Sequence, residues 1–220
     1  MRYFSFILIM STTLLVGCAT SDNIVNESQE DRLKMRDDKQ HIFIWKLFVD
    51  NTLALHKKLI NAEPYKVSKT LGGYAENKNY YIQEEYRSVN TGKVISILQW
   101  EKANPSVLHS IEVFVRDKQG RVIRDYTAAY LPHHYNAPVQ TLLSLHHYND
   151  NLHGFRSFDA SGDKLLERCS GDYQGTPYEF SLDEDDMYSA FLKGNPIEEK
   201  MYDRCLGKLQ DNAGKYLRPI

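Results

Sequence analysis

The strongest constraint on this chain is a period of two that runs, broken by turn residues, from about residue 80 to 168. Tyr80, Ile82 and Tyr86 alternate with Gln83, Glu85 and Arg87, which sends the apolar and polar members to opposite faces of an extended segment. Asn90-Thr91-Gly92 supplies a turn, and an apolar run follows at 93–100. Asn104-Pro105-Ser106 breaks the chain again before Val107, His109, Ile111, Val113 and Val115 share one face of the next strand. Asp117-Lys118-Gln119-Gly120 turns it into residues 121–131. Residues 140–148, 155–159 and 164–168 complete the series. Short turns and the absence of a strand–helix–strand rhythm predict an antiparallel β-meander of about six or seven strands.

Helical periodicity brackets this region. Trp45, Phe48, Leu55 and Leu59 recur at three- or four-residue spacing over 42–62, with Val49, Thr52 and His56 beside the stripe and Pro64 as the stop. Near the end, Asp183-Glu184-Asp185-Asp186 suits the start of a short helix at 187–192. Asn195-Pro196 opens a second segment with Ile197, Met201, Cys205 and Leu209 at four-residue spacing. The expected class is α+β: one antiparallel sheet packed against a long N-terminal helix, with short C-terminal helices.

Residues 1–20 differ in character. Arg2 precedes an uncharged, mostly apolar run at 3–16, followed by Leu15-Val16-Gly17-Cys18 and Ala19. A basic start, an apolar middle and a small-residue cleavage site fit a secretory signal. A retained anchor is the rival reading, but a helix needs roughly 20 apolar residues to cross a bilayer, and this run is shorter. Leu15-Val16-Gly17-Cys18 resembles the lipobox of bacterial lipoproteins. That resemblance implies a signal peptide at 1–17, cleavage before Cys18, palmitate on that cysteine, and attachment to a membrane through the lipid. Ala19 in place of aspartate implies, by the same resemblance, the outer membrane, with the protein facing the periplasm. Residues 18–40 are polar and charged and read as a tether, with Ser28 and Asp31 as a loose capping box. Residues 41–220 read as a single α+β domain.

With residues 1–17 removed, 203 of the 220 residues remain, enough for one well-packed domain, and the formal charge moves only from −2 to −3. Near-neutrality and scattered Lys and Arg exclude an electrostatic case for nucleic acid. Fifteen tyrosines and nine phenylalanines supply large apolar area. In an oxidising envelope, lipidation of Cys18 leaves Cys169 and Cys205 as the intramolecular pair. A disulfide between them is expected, with two buried thiols as the alternative, and neither cysteine sits in a nucleophile motif.

His133-His134-Tyr135-Asn136 recurs as His146-His147-Tyr148-Asn149, followed by Asp150 and His153. A zinc or copper site needs three or four of these to converge. Strand geometry sends His146 and His147 to opposite faces, so no single site takes both. Leu71-Gly72-Gly73-Tyr74 lacks the lysine of a phosphate-binding loop, and neither the G-x-S-x-G motif of serine hydrolases nor the H-E-x-x-H motif of zinc hydrolases occurs. No cofactor is expected. The functional expectation is an envelope-anchored lipoprotein with a non-enzymatic binding or assembly domain and an envelope protein as partner. Two alternatives stand beside it. One is a carrier of a lipid or other apolar ligand in a cavity lined by residues such as Trp45, Trp100, Phe114 and Tyr126. The other is a metal-binding or enzymatic domain built on the histidines.

Overall fold

The computed structural model describes residues 38–186 and 199–219. Helix α1 (Lys39–Ala62) leads into nine strands: β1 (Tyr65–Gly72), β2 (Tyr81–Ser88), β3 (Val94–Glu101), β4 (Leu108–Arg116), β5 (Val122–Ala129), β6 (Gln140–Asn149), β7 (Leu152–Phe158), β8 (Lys164–Tyr173) and β9 (Thr176–Asp183). Helix α2 (Glu199–Leu206) and a 3-10 turn (Gly214–Leu217) follow. The strands form one open antiparallel sheet in chain order, each paired to its neighbours. The α+β class stands, but the sheet has nine strands rather than six or seven. The seven expected segments are β2–β8, and the two that were missed are its edges.

Both edges escape a periodicity argument for a physical reason. An edge strand has one partner and needs little apolar surface. β1 is exposed along nearly its whole length. In β9, Tyr178, Phe180 and Leu182 do alternate, but Pro177 reads as a break. At the sheet edge the missing N–H of Pro177 is tolerated.

Cross-strand register fixes the two faces. Ser96, Val113, Tyr126, Leu143 and Phe158 stand in one row, and Leu98, Ile111, Ala128 and Thr141 in the next. Six apolar members of these rows (Ile111, Val113, Tyr126, Ala128, Leu143 and Phe158) are 0 % exposed, and each large one contributes roughly 1.5–3 kcal/mol of transfer free energy. Helix α1 lies over β3, β4 and β5 and buries Phe48, Val49, Thr52, Leu55 and His56 against them. Trp45 and Leu59 sit at the margins of that stripe, half-buried. The two buried polar side chains are satisfied: Thr52 Oγ1 donates to the Phe48 carbonyl (2.8 Å), and His56 Nδ1 meets Ser96 Oγ (2.8 Å). Asp38 caps the helix by accepting from His41 N–H at 2.7 Å, and the helix stops just before Pro64.

Helix α2 packs on β6, β7 and β8, on the same face as α1. Cys169 and Cys205 are joined in a disulfide that staples α2 to β8. Gly154 allows the approach, since a Cβ there would meet the Cys205 carbonyl oxygen at 2.3 Å. Beside it, Arg156 and Glu167 form an ion pair with each side chain 1 % exposed. Arg156 also donates to the carbonyls of Leu209 (3.2 Å) and Gln210 (2.9 Å), and Tyr202 donates to Glu167 Oε2 at 2.8 Å. The turns behave as their composition demands. Asp117 Oδ1 accepts from the N–H groups of Gln119 and Arg121, and Asp159 Oδ1 from those of Ser161 and Asp163.

Candidate functional site

Cys18, the loose capping box at 28–31 and the helix expected at 187–192 lie outside the described residues. Among the described residues no helix is long and apolar enough to cross a membrane.

The six residues considered as metal ligands spread over both faces and both ends of the sheet. His133 and His134 lie in the β5–β6 loop, where Leu131 and His134 form an isolated bridge. His146 is six residues up β6 from Gln140, roughly 20 Å away at about 3.3 Å per residue. His147 points to the helical face and hydrogen-bonds the Cys205 carbonyl at 3.1 Å. Asp150 is exposed at the β6–β7 turn, 3.8 Å from Arg204. Only His146 and His153 come together, with Nδ1 and Nε2 2.9 Å apart, and Asp125 hydrogen-bonds the other nitrogen of His146. Tyr148 stacks on His153 at 4.6 Å.

Of the aromatics considered as a cavity lining, Trp45, Trp100 and Tyr126 share the filled helix–sheet core and Phe114 does not. Tyr126 is in the core, while Phe114, one register position away in the β4–β5 ladder, faces the opposite side of the sheet. Trp45 reaches Ser161 at the helix N-terminal end, and Trp100 donates to Glu84 at 3.0 Å.

A different cluster gathers where the β1–β2, β3–β4 and β5–β6 loops meet. There a groove of about 760 Å³ is lined by Tyr74, Tyr80, Glu101, Lys102, His133 and their neighbours. Gly73 shapes the first loop: a Cβ would lie 1.9 Å from the Asn77 carbonyl, and Tyr74 and Asn77 exchange backbone hydrogen bonds across that turn. The turn presents Tyr74 to the site. His133 forms the opposite rim with φ 65, a left-handed conformation that a non-glycine residue adopts at a cost of about 1–2 kcal/mol.

Glu101, at the end of β3, is 6 % exposed. Its two carboxylate oxygens accept from the phenols of Tyr80 and Tyr135, the latter at 3.1 Å. His109, 3 % exposed, hydrogen-bonds the Tyr74 hydroxyl through Nε2 and packs its ring on Tyr81 at 5.7 Å. Its Nδ1 has no partner among the described residues. Burial lowers His109 despite the nearby Glu101. Burial and then the Glu101 carboxylate raise Tyr80, and burial raises Tyr74 and Tyr135. Neutral phenols, a neutral imidazole and one carboxylate are groups that grip and orient, by hydrogen bond and aromatic face. Sequence reasoning passed over all of them. The available signal was three tyrosines within eight residues beside Gly72-Gly73.

The histidines also fix a pH response. Burial holds His56, His109 and His153 below the usual 6.5, with Lys57 acting further on His56, and His146 and Arg168 on His153. The unfolded chain therefore binds more protons than the folded one below 6.5, so this stability is complete above 6.5 and lost as pH falls through the native values. Urea midpoints are expected to drop between about pH 7.5 and pH 5.5. Glu112 and Asp159, raised by burial, act in the opposite sense from 4.5 and 3.8 upward. His153→Gln isolates the histidine contribution by flattening the slope, and a midpoint constant across the window would refute it.

Comparison of the chain with protein-family models, with curated proteins and with solved structures returns no match.

Proposed function

We propose that the chain is an envelope lipoprotein, anchored by lipid on Cys18 to the outer membrane and facing the periplasm. Its folded domain is a non-enzymatic binding module, and its binding site is the tyrosine-lined groove at the β1–β2, β3–β4 and β5–β6 end of the sheet. One observation carries the reading. Buried Glu101 lines the groove with Tyr74 and Tyr80, and it is backed by buried His109, hydrogen-bonded to Tyr74, and by Tyr135, hydrogen-bonded to Glu101; Tyr74 and Tyr135 are both nearly half exposed. Binding sites combine such aromatic faces with a few fixed polar groups, whereas the helix–sheet interface is filled by side chains. A partner that inserts a side chain or headgroup into the groove is read by the same groups.

The test is a fragment screen by amide NMR on the labelled chain. Hits are expected to move resonances of residues 74–80, 101–103 and 131–135 together. Hits that map only to other surfaces, or a screen with none, overturn the assignment of the site.

A further inference from the structure

We infer that the groove takes a ligand bearing an organic cation, an amine or quaternary ammonium group, with Glu101 as its counter-charge. This rests on the groove being the binding site. Glu101 lines the groove yet is 6 % exposed, and both partners of its carboxylate are neutral phenols. No Lys, Arg or His among the described residues forms an ion pair with it. Lys102, next in the chain, does not turn back to it. A carboxylate removed from water normally keeps a cation beside it, because hydrogen bonds alone recover only part of its lost hydration. The other carboxylate as deeply buried among the described residues, Glu167, has Arg156 and Lys164. Glu101 departs from that rule, and the residue lines the groove.

The walls have the chemistry that the missing cation needs. Tyr74 and Tyr80 lie with ring centroids 5.6 Å apart on one side, and Tyr135 reaches the second carboxylate oxygen from the other. Aromatic faces attract an ammonium group through their negative quadrupole, more strongly when water is excluded. Glu76 and Glu101 outnumber Lys102 among the charged acidic and basic groups of the lining, so the field favours a positive ligand. An anionic ligand would meet a buried carboxylate that has no ion-pair partner among the described residues.

Choline and its uncharged isostere 3,3-dimethylbutan-1-ol separate charge from shape. Both are titrated by NMR into the full chain, held in an uncharged polyoxyethylene detergent. Choline is expected to shift the groove resonances with a Kd about ten-fold below that of the alcohol. Glu101→Gln, which keeps the acceptor for one phenol, is expected to erase that difference. Tyr135→Ala, at a side chain 45 % exposed and therefore tolerant, is expected to weaken choline by about five-fold with the fold intact. Equal affinity for choline and the alcohol overturns the cation inference and leaves the groove as a binding site for uncharged ligands. Binding of neither also overturns it, and the fragment screen then decides separately whether the groove binds anything. An affinity difference that survives Glu101→Gln removes Glu101 from the role.

Discussion

Arg156→Met is expected to destabilise the fold by about 3–5 kcal/mol, the largest effect of any single substitution considered. The residue is 1 % exposed and carries three duties at once. Its guanidinium neutralises Glu167, which is equally buried. Its second nitrogen holds the carbonyls of Leu209 and Gln210, and its third meets the Tyr202 hydroxyl at 3.2 Å. Methionine fills much of the volume but leaves a buried carboxylate with Tyr202 and the partly exposed Lys164 as its remaining support. Burial and that carboxylate already push Tyr202 up to about 12, so the phenol stays a donor but brings no charge. Urea unfolding followed by circular dichroism measures the loss. The pair Arg156→Met with Glu167→Leu is expected to recover much of it, because removing both charges removes the unpaired one. A single-substitution loss below about 1 kcal/mol would show that water or Lys164 compensates, and would remove the ion pair from its structural role.

Replacing both Cys169 and Cys205 with alanine is expected to cost roughly 4 kcal/mol, from the entropy of closing a loop over a separation of 36 residues. Local structure makes the staple important. Helix α2 has eight residues, too few to persist without tertiary contacts, and its anchors Met201, Cys205 and Leu206 dock on a small cluster of their own around Leu152 and Phe180. Loss of the staple is expected to expose 199–206 to proteolysis before the sheet unfolds. Coincident unfolding curves for the oxidised protein and the alanine pair would mean that the Arg156 network alone seats the C-terminal segment. The two devices hold the same segment, so their combined loss is expected to fall short of additivity.

The sheet's interior was readable without coordinates because β2–β8 have partners on both sides and one face under helices. That burial imposes the alternation seen at Ile111, Val113 and their neighbours. β1 carries no such imprint, since an edge strand satisfies its backbone with one partner and can leave its side chains in water, and in β9 the alternation of Tyr178, Phe180 and Leu182 is masked by Pro177. The histidines illustrate a second limit. Strand parity separates His146 from His147, but the pairing of His146 with His153 and Asp125 depends on β5, β6 and β7 lying in that register. The groove was harder still. Tyr74, Glu101, His109 and Tyr135 come from four separate stretches, and none stands in a motif.

The sequence by itself determined the local quantities: where the chain alternates, where α1 begins to run and stops at Pro64, and which two cysteines remain when Cys18 is set apart. These follow from periodicity, ring constraint and counting, all of which act over a few residues or on composition. Tertiary structure decided the rest. It decided that Phe114 and Tyr126 face apart, that Cys169 lies under Cys205, and that Glu101 is buried with phenols and no cation. Those are properties of convergence between distant segments, and convergence is set by strand register and loop geometry rather than by any residue's own preference.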